Sequence, residues 1–168
     1  MQCSRLKRLG GAGDGGKYAC MDPLRDPLKV LSVGSMGDFT FENDIMAHFP
    51  RANITTMDGT VSVSVAARAP PGVNFVRSNF DPTDVAGLLD ILKIDCEGCE
   101  LYSLLPFLKR TCVNQILIET HACLQPLARH HQLMLKLNNS FGVFAKEPNI
   151  EFSDGSCVEF GLLRMKPC

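Results

Sequence analysis

The chain lacks any apolar run approaching the ~20 residues that a membrane helix requires. Its basic N-terminal residues are not followed by an apolar stretch, so neither a signal peptide nor a transmembrane segment is expected within it. It also lacks a one-sided charge. The formal net charge is −1, and the one basic cluster, Arg5, Lys7 and Arg8, is short. Binding to phosphate backbones depends on clustered Lys and Arg, so no nucleic-acid partner is expected. There is no internal repeat and no low-complexity linker. With 168 residues and 45% hydrophobic content, the chain can build one globular core. Residues 1–27 read as an irregular glycine-rich leader, because Gly10, Gly11, Gly13, Gly15, Gly16, Pro23 and Pro27 disfavour a regular element. Residues 28–168 read as a single domain.

Cysteine is abundant, with eight residues. Cys3 and Cys20 bracket the glycine-rich loop and could pair. Cys96, Cys99, Cys112 and Cys123 lie in or beside apolar segments and read as small buried thiols. A secretory compartment therefore stays open, and localisation is otherwise undetermined.

The regular elements alternate. Lys29 to Val33 reads as a strand, followed by a tight loop and a helix starting near Asp38 or Thr40 and closed by Pro50. Asn53 to Met57 and Val73 to Arg77 read as strands, and the Val/Ser alternation of Val61 to Val65 as another. Asp81 to Leu89 is predicted to be a helix with Asp81 as its cap and Pro82 at its first position. Ile91 to Ile94 is an apolar strand, and Leu101, Leu104, Leu105 and Leu108 keep helical spacing after it. Gln115 to Ile118 is a strand, residues near Leu124 to Asn138 a helix, and Gly142 to Ala145 and Val158 to Met165 two closing strands with a turn at Asp154-Gly155. Such alternation predicts an α/β fold with a mostly parallel sheet.

Chemistry-bearing residues collect where strands end, which is where open α/β sheets bind ligands. Gly34-Ser35-Met36-Gly37 turns from a strand toward a helix whose N–H groups can face a ligand. Asp58 ends the next strand about twenty residues on, the position of an acid that holds ribose hydroxyls. Ile91-Leu92-Lys93-Ile94-Asp95-Cys96-Glu97-Gly98-Cys99-Glu100 is an apolar strand ending in acid and glycine. Glu119-Thr120-His121 follows the next strand. If those strands are neighbours, Asp95, Glu97, Glu119 and His121 converge, with His121 as a proton acceptor. Each group also has a plainer reading: Asp58 as a turn former, Asp95 as a helix cap, residues 119–121 as a solvated loop. The Cys96-x-x-Cys99 spacing lacks the second paired knuckle of a structural zinc site, so no metal is expected.

The run from Ile91 to Glu100 resembles the LKID-x-EG-x-E signature of FkbM-type S-adenosylmethionine-dependent methyltransferases. The leader from Arg8 to Cys20 resembles the methyltransferase-like protein 24 branch of that family, and Ile116 to Glu119 and Phe160 to Leu162 match in kind. The resemblance implies a Rossmann-like class I methyltransferase sheet with an antiparallel last strand and helices on both faces. It implies S-adenosyl-L-methionine as cofactor, bound by Gly34, Ser35, Met36, Gly37, Asp58 and Asp95. Asp95, Glu97, Glu119 and His121 are then the catalytic-edge residues. The acceptor, small molecule, glycan or protein, is not specified. Two other functions fit such a fold. A dinucleotide oxidoreductase would want Tyr-x-x-x-Lys, which Tyr18 and Tyr102 do not supply. A non-catalytic interaction domain would keep the fold without the chemistry.

Overall fold

A computed structural model describes residues 3–81, 83, 87–122, 124, 126–150 and 155–167. The elements in chain order are β1 (Leu6–Leu9), β2 (Lys17–Cys20), β3 (Lys29–Val33), α1 (Thr40–His48), β4 (Asn53–Met57), α2 (Val63–Ala66), β5 (Val73–Val76), β6 (Gly87–Ile94), α3 (Glu100–Leu108), β7 (Thr111–His121), α4 (Leu127–Leu137), β8 (Phe141–Asn149) and β9 (Cys157–Arg164). Seven strands form one sheet in the order β5-β4-β3-β6-β7-β9-β8. The pairs from β5 to β7 are parallel, and β9 runs antiparallel between β7 and β8. The expected mostly parallel sheet with an antiparallel last strand is what the chain builds. The order reverses at β3, the first strand of the sheet, so β3 and β6 flank the switch point where such sheets bind ligands.

Strand alternation splits the core in two. Leu92 and Ile94 on β6 and Ile116 and Ile118 on β7 pack with Leu104 and Phe107 of α3 and Leu133 and Leu137 of α4. Val30, Ile91 and Leu117 point the other way, against Phe41 and Ile45 of α1 and against Leu9 and Ala19. Period two therefore puts Lys93 and Asp95 with Ile91, and Gln115 and Glu119 with Leu117, on the second face. No helix among the described residues is long and apolar enough to cross a membrane.

Four expectations change. The segment 1–27 is not irregular throughout, because β1 and β2 pair antiparallel, Leu6 opposite Cys20 and Leu9 opposite Lys17. Its glycines make the hairpin's loop: Gly10 and Gly15 adopt φ of 89° and 83°, which an L side chain avoids. The hairpin covers the sheet face that α1 leaves open, with Leu9 and Ala19 fully buried. Residues 63–66 form one helical turn, not a strand. Ser62 accepts from the Val65 N–H at 3.3 Å, and Val63 is 68% exposed with no neighbouring strand to pair with. The predicted helix from Asp81 to Leu89 gives way at its end to β6, whose Gly87, Leu88 and Leu89 pair with Thr111, Cys112 and Val113. Asp81 caps a local turn by accepting from Thr83, and Pro82 lies outside the described residues.

The thiol reading of Cys96, Cys99 and Cys112 is also overturned. Cys96 and Cys99 are joined, their Cα atoms 5.4 Å apart, because left-handed backbone at Glu97 and Gly98 folds the segment back on itself. Cys112 is disulfide-bonded too. Cys123 and Asp154 lie outside the described residues. Cys3 and Cys20 pair as expected, closing a separation of 17 residues. A loop of that length constrains the unfolded chain by about 3 kcal/mol. The Cys3→Ser/Cys20→Ser variant is accordingly expected to melt about 6–12 °C lower by calorimetry. An unchanged melting temperature would show that the hairpin holds without its staple.

Candidate active site

β3 ends at Val33, and the loop 34–37 carries the chain off the sheet edge toward α1. Gly34 has φ of 78°, and a Cβ built on it would lie 1.6 Å from the Asp95 carbonyl oxygen. Here a side chain is excluded by both conformation and space. The closeness is fixed by the ladder: the Gly34 N–H donates to Met57 O at 2.9 Å, and the Asp95 N–H donates to Val33 O at 3.0 Å. The Lys93 ammonium donates to Gly34 O. Met36 projects into solvent with φ of 51°. Loop, Asp58 and Asp95 thus meet at the carboxyl edge of β3, β4 and β6.

Asp58 follows β4 and is buried. Its Oδ2 accepts from the N–H groups of Ser35 at 2.9 Å and Met36 at 2.8 Å and from the Ser35 hydroxyl at 3.2 Å. Its Oδ1 accepts from the Thr60 N–H at 2.9 Å and hydroxyl at 2.6 Å. Burial pushes this carboxyl up, but the Thr60 hydroxyl and the surrounding N–H groups outweigh it and bring it down to about 2. Five donors already surround a group with about four lone-pair positions. Asp58 is therefore the anchor that shapes the loop.

Asp95, Glu119 and His121 come together on neighbouring strands, and the solvated-loop reading of 119–121 does not hold. Both Glu119 and His121 lie in β7 and are buried. Glu97 does not join them: it is exposed, with φ of 54°, and takes no part in their hydrogen bonds. The group at the centre is one that strand-end reasoning missed. Lys17 of β2 is 2% exposed. Its Nζ lies 2.9 Å from Asp95 Oδ2, 2.8 Å from Glu159 Oε1 of β9 and 3.7 Å from Glu119 Oε2. Burial opposes its charge, yet the three carboxylates overcome that and hold Lys17 protonated well above the usual lysine range. Asp95 is likewise opposed by burial but kept low by the charges of Lys17 and Lys93. Glu119 goes the other way: burial, then the nearby Asp95 charge, raise it to about 7. Asn149 donates to Glu119 Oε1 at 2.9 Å and to Asp14 Oδ1 at 3.0 Å, tying β8 and the hairpin loop over the cluster.

A second missed residue is Glu100, fully buried at the start of α3. Its Oε2 accepts from the Gly98 N–H at 2.9 Å, and its Oε1 lies 3.1 Å from His121 Nδ1. His121 Nε2 lies 3.5 Å from Asp95 Oδ1. The ring stands between two carboxylates and can donate to both only as the imidazolium. Burial disfavours that charge, but Glu100 first, then Asp95 and Glu119, raise its pKa. His121 thus faces a carboxylate at each ring nitrogen, surroundings that favour the protonated ring.

Signals for the missed residues existed. Lys17 sits in Lys17-Tyr18-Ala19-Cys20, whose alternation is that of a strand with Lys17 and Ala19 on one face. Glu159 interrupts an apolar strand two residues from Cys157 and Gly161.

A family described as "Methyltransferase domain" matches residues 1–61 and 76–164. The fold and this edge define a class I methyltransferase architecture, and the chain belongs to that methyltransferase-domain family. Among solved structures, it is similar to the Methanococcus jannaschii fibrillarin pre-rRNA processing protein. That match has 11% identity, covers 99% of this chain and 86% of that one, and has a TM-score of 0.61. It is also similar to the N-methyltransferase NodS from Bradyrhizobium japonicum WM9, at 12% identity over 83% and 86% of the chains with a TM-score of 0.56. A further similar structure is the precorrin-6y C5,15-methyltransferase from Geobacter metallireducens GS-15, at 13% identity over 86% and 83% with a TM-score of 0.57. A NodS structure in complex with S-adenosyl-L-homocysteine, at 11% identity, 83% and 78% coverage and a TM-score of 0.53, shares the fold. At these identities the likeness speaks to fold. No curated protein matches the chain.

Proposed function

We propose that the chain transfers a methyl group to an acceptor hydroxyl, with S-adenosyl-L-methionine as methyl donor. The observation that carries this is the meeting of the loop 34–37, Asp58 and Asp95 at one sheet edge, in a chain of the methyltransferase-domain family. The LKID-x-EG-x-E run supports placing it in the FkbM-type branch, and the Arg8 to Cys20 leader supports the methyltransferase-like protein 24 group. The disulfides fit an oxidising compartment.

The residues present suit the donor. Gly34 keeps the loop close to Asp95, and Ser35, Met36 and Gly37 offer backbone groups at the lip. Asp58 can turn Oδ1 to ribose hydroxyls if Thr60 releases it. Thr60 is exposed, so water can take up its hydroxyl. When bound, S-adenosyl-L-methionine supplies an electrophilic methyl on a sulfonium. Asp95, the most exposed carboxylate of the cluster, orients the acceptor hydroxyl. Glu119, poised near neutrality, holds the proton that the hydroxyl gives up, and His121 steadies Asp95. Positioning and exclusion of water then carry most of the rate.

Calorimetric titration tests this. Wild type is expected to bind S-adenosyl-L-methionine, Asp58→Ala to lose it at least a hundredfold, and Thr60→Val to stay within a few fold. Wild type that binds none removes the cofactor assignment; Asp58→Ala that binds normally removes Asp58 from it.

A further inference from the structure

We propose that Lys17 is a tethered counter-cation that takes the place of a divalent metal ion among Asp95, Glu119 and Glu159. Three carboxylates, Asp95 just past β6, Glu119 of β7 and Glu159 of β9, converge on a buried spot on the hairpin face of the sheet. Two overlapping groups there, Asp95 with Glu119 and His121, and Asp14 with Glu119 and Glu159, bring one donor atom per residue within 4.8 Å of one another. That is the spacing at which oxygen and nitrogen ligands share a hard cation. Lys17 Nζ occupies this space, with short contacts to Asp95 and Glu159. The ammonium has three protons and does not exhaust the cluster. Glu159 is only 7% exposed, and its buried Oε2 has no hydrogen-bond partner among the described residues. A set of carboxylate oxygens larger than one ammonium can satisfy is the donor set of a metal ion.

The lysine is held there by construction. The N–H of Cys20, three residues on, donates to Gln115 Oε1 at 2.6 Å, and its carbonyl oxygen accepts from Gln115 Nε2 at 3.1 Å. The Cys3–Cys20 bond closes the hairpin behind it. Lys17 therefore arrives with the fold and does not exchange with solvent, whereas a metal ion would. The raised pKa of Lys17 agrees with a charge that is never released. The assignment rests on the cluster's geometry and not on the methyl donor.

The test uses the whole chain and Mn2+ alone, titrated calorimetrically and by thermal melting at matched ionic strength. Wild type and Lys17→Arg are expected to show no saturable binding up to about 1 mM Mn2+. Lys17→Met is expected to bind one ion at least tenfold more tightly than wild type. Its melting temperature should rise by about 5 °C or more at hundredfold saturation, reversed by a chelator. Adding Glu159→Gln should weaken that binding about tenfold or more. Equal affinity in wild type and Lys17→Met, or a folded Lys17→Met that binds no ion, overturns the proposal. If Lys17→Met does not fold alone, refolding with Mn2+ decides. Recovery supports the proposal. Failure to recover overturns it. Titration of S-adenosyl-L-methionine into the same proteins reads the methyl-donor assignment separately.

Discussion

Replacing Gly34 by alanine is expected to abolish S-adenosyl-L-methionine binding and to destabilise the fold by about 3 kcal/mol or more. Two effects add. The left-handed φ of 78° costs an L residue about 1–2 kcal/mol. The new methyl would also sit 1.6 Å from the Asp95 carbonyl oxygen, a backbone atom that cannot rotate away. β3 and β6 would have to part at the point where both deliver site residues. Gly87 supplies the control. Its φ is 99°, and nothing among the described residues lies within 4 Å of a Cβ built there. Gly87→Ala should therefore show the conformational cost alone and leave binding intact. Urea denaturation and calorimetric titration of the two variants separate the contributions. If both lose the same stability and both bind the cofactor, the Gly34–Asp95 approach is not what shapes the site.

Asp95→Asn is expected to lower turnover by about 10²–10⁴-fold once an acceptor is found. It should also change how turnover depends on pH. The Asp95 charge is one of the causes that hold Glu119 near 7. Without that charge Glu119 ionises at lower pH and replaces Asp95 as a partner of Lys17, so the loss of stability should be smaller than for an unpaired buried charge. The rising limb of activity, near pH 7 in wild type, should move to lower pH in Asp95→Asn and vanish in Glu119→Gln. Stability carries the opposite sign. Burial favours the protonated form of Glu119 in the folded protein. Its contribution is therefore fully present below its ordinary value of 4.5 and is lost as pH rises through about 7. Glu119→Gln should flatten that part of the urea-midpoint profile. An activity limb that stays at the same pH in Asp95→Asn would separate Glu119 from the proton transfer.

The strands β3, β4, β6 and the inner part of β7 were legible because each is a short run that meets Gly34, Asp58, Asp95 or Glu119 at its end, and a sheet covered on both faces demands such apolar runs. The loop 34–37, Asp58 and Asp95 were legible for the same reason. What was hidden depended on partners distant in sequence. Gly10 to Gly16 signal a break in structure, and nothing local shows that the break is the loop of a hairpin. A buried lysine looks like any exposed one until Asp95, Glu119 and Glu159 are seen around it, 78, 102 and 142 residues away. The apolar run of β6 begins early, at Leu88, inside the span that the Asp81-Pro82 pair marks for a helix. Glu97 stood in the signature and drew attention, yet the backbone reversal at 97–98 turns it to solvent and makes Glu100 the buried acid.

The Lys17–Glu159 contact joins residues 142 positions apart. Loop closure over such a span comes late, after local contacts have formed. The charge centre assembles after the parallel strands β3 to β7 have been made, since β9 must be complete before Lys17 has all its partners. A chain interrupted before β9 can build much of the parallel sheet yet leaves the lysine and two acids without their full set. The charge centre is complete only when β2 and β9 have both docked, so its integrity reports long-range assembly more faithfully than helix or sheet content does.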